Sequence, residues 1–187
     1  MLQLCRDAFT ADLAFTALVE VFRPRSGGDA VRAGALAGKA KQMTFRKITD
    51  QLQVSPQITV DHVSLAAAQG FTLIVNNRPE DESDDQTPGA DIAAAAAAAG
   101  LQYIAIPITH AGFSEPQVEA MATALNGAEG PVLAYCRSGT RSTLLWALAE
   151  ASDGGDPDSI TNLAAKAGYD VSPVRPLMDM LKARHTP

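Results

Sequence analysis

The sequence predicts an α/β fold in which a parallel sheet of four to five strands is flanked by helices. Three observations lead to this prediction. Short, continuous apolar runs alternate with longer segments whose spacing suits helices. Each segment is bounded by turn-forming residues such as glycine, proline or asparagine. The apolar runs are typical of parallel strands that helices bury on both faces.

The first half of the patterned region contains strands and helices in turn. A short strand or hairpin is predicted at Phe45–Val54. A helix is predicted at Thr59–Gln69, and Gly70 is suited to close it. The compact apolar run Phe71–Asn76 is typical of a buried parallel strand. An alanine-rich helix is predicted at Ala90–Ala99, because alanine has the highest helix propensity.

The second half continues the alternation and then becomes helical. A strand at Tyr103–Ile106 is followed by a helix at Glu115–Leu125, which an Asn-Gly pair ends. A third apolar run, Val132–Tyr135, leads into a loop that begins with a cysteine. Ser172 suits the N-cap of the last helix, and the proline after it suits the first helical position. The helices predicted after the loop are Ser142–Ser152, Ser159–Ala167 and Pro173–Arg184.

The chain divides into three parts by composition. Residues 1–42 are an extension without a clear place in the fold, since a basic stretch of small residues follows its one helical pattern. The regular pattern starts directly after Met43, and we hypothesise that translation of the native protein starts there. Residues 43–152 form the predicted catalytic domain. Residues 153–187 are predicted to be a helical tail packed on it.

Charge and composition narrow the classes of function. The net charge is −6, and residues 43–187 alone carry nine lysines and arginines against seventeen aspartates and glutamates. An acidic body repels nucleic acid and anionic membranes, so neither is an expected partner, and an anionic substrate needs a local positive pocket. The two cysteines show no disulfide or metal-ligand spacing, and no run of about 18 apolar residues occurs. A cytoplasmic protein is expected, without a metal or cofactor; its oligomeric state stays open.

The loop after Val132–Tyr135 has the residues of a nucleophilic anion site. Cysteine chemistry needs the thiolate, which a positive environment favours. The loop leaves the carboxyl end of a strand and enters a helix N-terminus, where free N–H groups favour an anion. Gly139 lets successive N–H groups point inward, and the fork of Arg141 fits tetrahedral oxyanions. A buried core cysteine is the competing interpretation, but the residues that follow Cys136 are polar. These are Arg137, Ser138, Gly139, Thr140, Arg141 and Ser142.

The roles of the other polar residues stay open at this point. Arg137 either contacts the substrate or points to solvent. Thr140 or Ser142 is placed to donate a hydroxyl hydrogen bond to the sulfur. His110 either lines the pocket or is an ordinary loop histidine. Arg78 either adds positive charge to the pocket or pairs with an acidic neighbour.

The stretch Tyr135–Ser142 resembles the active loop of single-domain rhodaneses. A broader resemblance, over residues 44–151, is to the phosphatase-like domain family of beta-lactamase hydrolase-like proteins. It implies a cysteine-phosphatase-like fold with Cys136 as the nucleophile and Arg141 as the anion clamp. It leaves the reaction open, since members are described both as phosphatases and as sulfurtransferases. Besides the loop, the resemblance rests on Phe45–Ile48, Leu52–Gln57, Asn76–Glu82, Ile106–Ile108 and Leu145–Trp146.

Two departures from the cysteine-phosphatase pattern favour sulfur transfer. Four residues separate Cys136 from Arg141, whereas phosphatases of this fold have one residue more. The shorter loop makes a tighter ring of N–H donors, which suits a persulfide better than a phosphoryl group. The stretch Ile108–Phe113 lacks the aspartic acid that would protonate a leaving alkoxide. Its His110 is a candidate acid. Others are aspartates of the acidic loop, namely Asp81, Asp84 and Asp85.

The reaction predicted from the sequence is therefore sulfane-sulfur transfer of the rhodanese type, through a persulfide on Cys136. The alternative is hydrolysis of phosphomonoesters through a phosphoenzyme at the same cysteine. A third interpretation is a weakly active domain that binds an anion or a partner. The expected substrate is a small anion: thiosulfate, a persulfide or a phosphate ester.

Overall fold

A computed structural model describes residues 45–185. The predicted extension at residues 1–42 and the hypothetical start at Met43 lie outside the described residues. The strands are β1 (Arg46–Lys47), β2 (Leu52–Ser55), β3 (Leu73–Asn76), β4 (Gln102–Ala105) and β5 (Val132–Tyr135). The helices are α1 (Val60–Ala68), α2 (Gly89–Ala98), α3 (Glu115–Asn126), α4 (Thr140–Ser152), α5 (Pro157–Lys166) and α6 (Arg175–His185), with a 3-10 turn at Ser172–Val174. Within 45–185, no helix combines the length and apolar character that crossing a bilayer requires.

The strands form one sheet in the order β1-β2-β5-β3-β4. The predicted α/β fold is confirmed, with one difference: four strands run parallel, and β1 pairs antiparallel with β2. The reason is local, because Ile48 N–H donates to Leu52 O at 3.0 Å and closes a turn too short for a crossover. Since β5 lies in the middle of the sheet, the loop after it has neighbouring strands on both sides.

Helices cover both faces of the sheet, which explains the apolar strands. Along β3, Leu73 and Val75 join the core formed with α3 and α4, whereas Ile74 joins the core formed with α1 and α2. This alternation is the two-residue period of a strand. All residues of β3 and β5 are buried. Continuous apolar runs are what a sheet covered on both faces requires.

Helix α4 begins at Thr140, two residues before the predicted start. The cause is Gly139, which is the N-cap and has a φ of +89°. A left-handed residue directly before the helix lets the chain turn sharply out of the loop. As a consequence Arg141 belongs to the first helical turn, so its position relative to Cys136 is set by a rigid element.

The helices after α4 share the hydrophobic core of the α/β unit. Asp156 caps α5 by accepting from the N–H of Ser159 at 2.9 Å. Val171 and Met178, which lie after α5, are buried in the same cluster as Trp146 of α4. The hydrophobic core beneath the cysteine loop therefore includes side chains from the last part of the chain.

Candidate active site

Cys136 follows the central strand β5 and lies at the carboxyl edge of the parallel strands, where open α/β sheets bind ligands. Its side chain is fully buried. Its backbone N–H donates to the carbonyl of Ser55, at the end of β2, at 3.4 Å. Its Sγ accepts a hydrogen bond from the N–H of Gly139 at 3.1 Å. The sulfur therefore faces the backbone amides of the loop, and not the open solvent.

The orientation of these amides is set from outside the loop. Three successive carbonyls, at positions 137–139, accept hydrogen bonds from groups beyond it. The donors are the N–H of Gln57 at 3.4 Å, the hydroxyl of Tyr169 at 3.3 Å, and the N–H and hydroxyl of Thr143 at 3.0 and 2.9 Å. Because a trans peptide directs its N–H opposite to its C=O, carbonyls held outward turn the following N–H groups toward the inside of the loop. This is the geometry of an anion nest.

Gly139 is required in this loop for two reasons. Its φ of +89° lies in the left-handed region, which other residues adopt only with strain. A Cβ at this position would also overlap with the hydroxyl oxygen of Tyr169. The close approach of the tyrosine and the turn into α4 both depend on the missing side chain.

Arg141 directs its guanidinium toward two partners at the edge of the site. Its Nη1 donates to Ile108 O at 2.9 Å, and its Nη2 lies 2.8 Å from Oε1 and 2.9 Å from Oε2 of Glu82. Burial alone would lower the pKa of Arg141, but the hydrogen bond to Glu82 and the nearby Cys136 side chain raise it above its ordinary value. The side chain is 22% exposed. A charged, partly accessible guanidinium beside the sulfur is suited to clamp an anion.

Glu82 connects two arginines. Its Oε2 accepts from Nε of Arg78 at 2.7 Å, while the same carboxylate pairs with Arg141. The pKa of Glu82 lies below its ordinary value, and the hydrogen bond from Arg141 is the largest cause. Arg78 lowers the pKa further, while burial raises it and offsets part of the decrease. The sequence prediction did not select Glu82 as a site residue. The sequence signal that could have identified Glu82 is its spacing of four residues from Arg78, in a loop at the same sheet edge.

Arg78 is a buried cation that is 3% exposed. Besides Glu82, it donates from Nη1 to Gln57 Oε1 at 2.8 Å and from Nη2 to Ser83 Oγ at 2.6 Å. Of the two roles left open by the sequence, the structure therefore places Arg78 in pairing with an acidic neighbour. Gln57 also donates its N–H to the Arg137 carbonyl, so Arg78 is connected to the cysteine loop through Gln57.

The four candidate acids, Asp81, Asp84, Asp85 and His110, are all exposed, and the three aspartates lie in a different loop from His110. Asp81 has a φ of 57° and lines a small hollow with Glu80 and other residues of the acidic loop, which the cysteine loop does not line. His110 lies in the turn between β4 and α3. Two residues before it, the carbonyl of Ile108 accepts from Arg141, so that turn is hydrogen-bonded to the predicted anion clamp.

The remaining loop side chains divide into exposed and buried ones. Arg137 is exposed, and so are Ser138 and Thr140, whose hydroxyls are hydrogen-bonded to each other at 3.1 Å. Ser142 is buried, and its Oγ has no hydrogen-bond partner among the described residues. In the part of the chain that the structure covers, no three His, Cys, Asp or Glu side chains are grouped to hold a metal ion.

Comparison with known sequences identifies related proteins. The family model described as "Beta-lactamase hydrolase-like protein, phosphatase-like domain" matches residues 44–153. A beta-lactamase hydrolase-like protein of Xylella fastidiosa is 36% identical over 131 residues, which are 69% of this chain and 30% of that protein. One of Agrobacterium fabrum is 36% identical over 126 residues, which are 67% of this chain and 29% of that protein. The match therefore spans less than a third of these curated relatives.

Comparison with solved structures identifies the same fold. A candidate phosphatase from Neisseria meningitidis is 33% identical, with a TM-score of 0.65 over 73% of this chain and 97% of that chain. TpbA of P. aeruginosa in complex with pTyr has 17% identity and a TM-score of 0.52 over 73% and 86% of the two chains. PTPMT1 in complex with PI(5)P has 11% identity and a TM-score of 0.58 over 75% and 97%. The expected cysteine-phosphatase-like fold is thereby confirmed.

Proposed function

This chain belongs to the phosphatase-like domain family of beta-lactamase hydrolase-like proteins, and we propose that it hydrolyses phosphate monoesters through a phosphocysteine at Cys136. The observation that carries the proposal is a buried thiol that faces the Gly139 amide, with the charged Arg141 beside it. The descriptions of the relatives support the phosphatase alternative, and nothing in them supports the sulfur transfer expected from the sequence.

In the first step the Cys136 thiolate attacks the phosphorus of the ester. The S–P bond forms while the bond from phosphorus to the ester oxygen breaks, and that oxygen takes up a proton as the alcohol or phenol leaves. The loop amides and Arg141 stabilise the negative charge on the three equatorial oxygens. We assign the proton to His110, since its turn is hydrogen-bonded to Arg141 through Ile108.

In the second step water attacks the phosphocysteine. A new P–O bond forms, the S–P bond breaks, His110 takes up the proton that the water loses, and inorganic phosphate leaves with regeneration of the thiolate. The cycle needs no cofactor. Arg141 serves both steps, because a guanidinium has five N–H donors and its bonds to Ile108 and Glu82 leave others for the substrate.

The ligands of the solved neighbours support a phosphate ester as the substrate. TpbA is seen with pTyr and PTPMT1 with PI(5)P, so this fold accommodates phosphate groups on quite different carriers. Because the chain has a net charge of −6, a small anionic substrate needs a local positive charge, and Arg141 supplies it.

Sulfane-sulfur transfer is the second candidate function. One observation favours it, namely that only four residues lie between Cys136 and Arg141. In that reaction the thiolate attacks the outer sulfur of thiosulfate, an S–S bond forms, and sulfite leaves. A thiol or cyanide then removes the sulfur from the persulfide.

Assays with p-nitrophenyl phosphate and with thiosulfate separate the two reactions. We expect phosphate release by the wild type, a loss of at least about a thousandfold for Cys136→Ser, and a loss of about a hundredfold for Arg141→Lys. Arg137→Ala is the matched control, because Arg137 is an exposed arginine of the same loop. Phosphate release that survives Cys136→Ser would overturn the proposal. So would a Cys136 peptide that gains the mass of one sulfur atom from thiosulfate in a protein that releases no phosphate.

A further inference from the structure

Tyr169 contacts the cysteine loop from outside the family-matched residues 44–153. It lies between α5 and α6 and is 8% exposed. Its hydroxyl donates to the carbonyl of Ser138 at 3.3 Å. The hydroxyl oxygen also occupies the space that a Cβ on Gly139 would need. The contact therefore depends on the loop glycine as well as on the tyrosine.

The Ser138 carbonyl and the Gly139 N–H belong to the same peptide group. That peptide is planar, so its two polar ends point in opposite directions. One end accepts from Tyr169, and the other donates to Cys136 Sγ at 3.1 Å. Whatever fixes the carbonyl therefore also fixes the direction of the N–H.

This peptide differs from its two neighbours in what holds it. The preceding carbonyl accepts from the backbone N–H of Gln57, and the following one accepts from both the backbone N–H and the hydroxyl of Thr143. Among the described residues, the middle carbonyl has only a side-chain donor, the Tyr169 hydroxyl. Rotation of this peptide is also easier than elsewhere, because glycine can adopt conformations on both sides of the backbone map. A flipped peptide would place a carbonyl oxygen where the anion binds.

Tyr169 is held in place before any ligand binds. The guanidinium carbon of Arg46 lies 5.1 Å from the centroid of its ring, and the backbone N–H of Tyr169 donates to Ala164 O at 2.9 Å. Burial raises the pKa of Tyr169 above its ordinary value of 10.0, so the hydroxyl keeps the proton that it donates. The group is thus a fixed donor at neutral pH.

We propose that Tyr169 is a positioning residue that holds the Ser138–Gly139 peptide with its N–H toward Cys136, and so shapes the anion site. Only the expected effect of Tyr169 on turnover rests on the proposed function; its effect on anion binding at Cys136 does not. Loss of the hydroxyl lets the peptide turn, which removes one N–H from the site and weakens the binding of an anion.

The test compares Tyr169→Phe with Tyr103→Phe. Each variant loses one partly buried hydroxyl and keeps the ring, but the hydroxyl of Tyr103 is hydrogen-bonded to Asn76 of β3 and not to the cysteine loop. Alkylation of Cys136 is followed by mass spectrometry of its peptide, with anionic iodoacetate and with neutral iodoacetamide. The ratio of the two rates reports how well the site accepts an anion, and general loosening of the protein would change both rates alike.

We expect the iodoacetate-to-iodoacetamide ratio to fall about five- to tenfold in Tyr169→Phe, as loss of one hydrogen bond predicts, and to stay unchanged in Tyr103→Phe. For p-nitrophenyl phosphate, we expect KM to rise more than kcat falls. An unchanged ratio in Tyr169→Phe, or the same fall in both variants, overturns the proposal. If the ratio falls but no variant releases phosphate, Tyr169 keeps its role and the proposed function fails.

Discussion

Outside the cysteine loop, the carboxylate of Glu82 lies between two guanidinium groups, those of Arg78 and Arg141. Arg78 is almost fully buried, and a buried charge without a counterion is strongly destabilising. In the proposed function, Arg141 must keep one orientation to bind an anion next to the sulfur. A single carboxylate neutralises the first arginine and orients the second, so it links the stability of the fold to the geometry of the site.

Glu82→Gln tests this link by removing the charge while keeping the shape. We expect a loss of about 2 kcal/mol in the free energy of unfolding, since the carboxylate accepts charge-assisted hydrogen bonds from Arg78 and Arg141. We also expect weaker binding of phosphate, because Arg141 is no longer held. Denaturant unfolding at pH 7 measures the first effect. Asp84→Asn is the control, as it removes the same charge from an exposed position of the same loop.

The pH dependence of this loss has a defined sign. Folding lowers the pKa of Glu82 from its ordinary value of 4.5, so its ionised form stabilises the protein above that pH, and the contribution disappears as the pH falls through the folded value. The difference in Tm between wild type and Glu82→Gln should therefore be constant near neutrality and shrink below about pH 4.5. A difference that stays the same down to acid denaturation would contradict this account.

At the scale of elements, the junction of β5 and α4 determines the site. The strand ends at Tyr135, the helix starts at Thr140, and four loop residues connect them. The short connection works because Gly139 turns the chain in a left-handed conformation directly at the helix start. The N-terminus of α4 thus meets the carboxyl edge of the sheet with the sulfur between them, an arrangement that favours a bound anion.

Replacement of glycines with alanine separates the effect of backbone conformation from that of space. Gly70 has a φ of +83°, and a Cβ added there would meet open space. For Gly70→Ala we therefore expect a loss of about 1 kcal/mol in the free energy of unfolding, from backbone strain alone. Gly139→Ala has nearly the same φ but meets the Tyr169 hydroxyl, so we expect a loss of roughly 3 kcal/mol and little activity. Urea unfolding compares the two variants. Equal losses would mean that Tyr169 moves away without cost.

At the scale of the whole molecule, the segment after residue 153 is part of one hydrophobic core. Met178 of α6 is fully buried with Trp146 of α4, and Tyr169 reaches the loop from the same segment. The family model ends before these residues, although they support the site that it contains. We therefore propose that the chain from the first strand to α6 unfolds as one unit.

Two methionines of α6 test this proposal. Met178→Ala should lower the free energy of unfolding by about 2–4 kcal/mol, because it leaves a cavity in the core. Met180→Ala should change it by less than about 0.5 kcal/mol, because that side chain is 42% exposed. Fluorescence of Trp146, the one tryptophan of the chain, and enzymatic activity should be lost together on heating. A separate transition with retained activity would show that the C-terminal helices are dispensable.

The sequence by itself determined the features that depend on neighbours along the chain. The apolar run Val132–Tyr135, the polar loop and the helix that follows predict a nucleophile at Cys136 and a guanidinium at Arg141. The periodicity also indicated the α/β fold. The loop length and the missing aspartic acid in Ile108–Phe113 favoured sulfur transfer, and the comparisons favour phosphate hydrolysis instead. The number of loop residues is a local property, whereas the direction of the loop amides depends on donors elsewhere in the fold.

Only the tertiary structure decided which distant side chains meet at the sheet edge. Glu82 lies 59 residues before Arg141, and Tyr169 lies 31 residues after Ser138. Neither pairing leaves a trace in periodicity or turn signals, because those patterns report contacts within a few residues. The meeting of these groups follows from the order of the strands and from the packing of the last helices on α4. Packing across the fold therefore completes a candidate site whose predicted reactive pair was already visible in a short local motif.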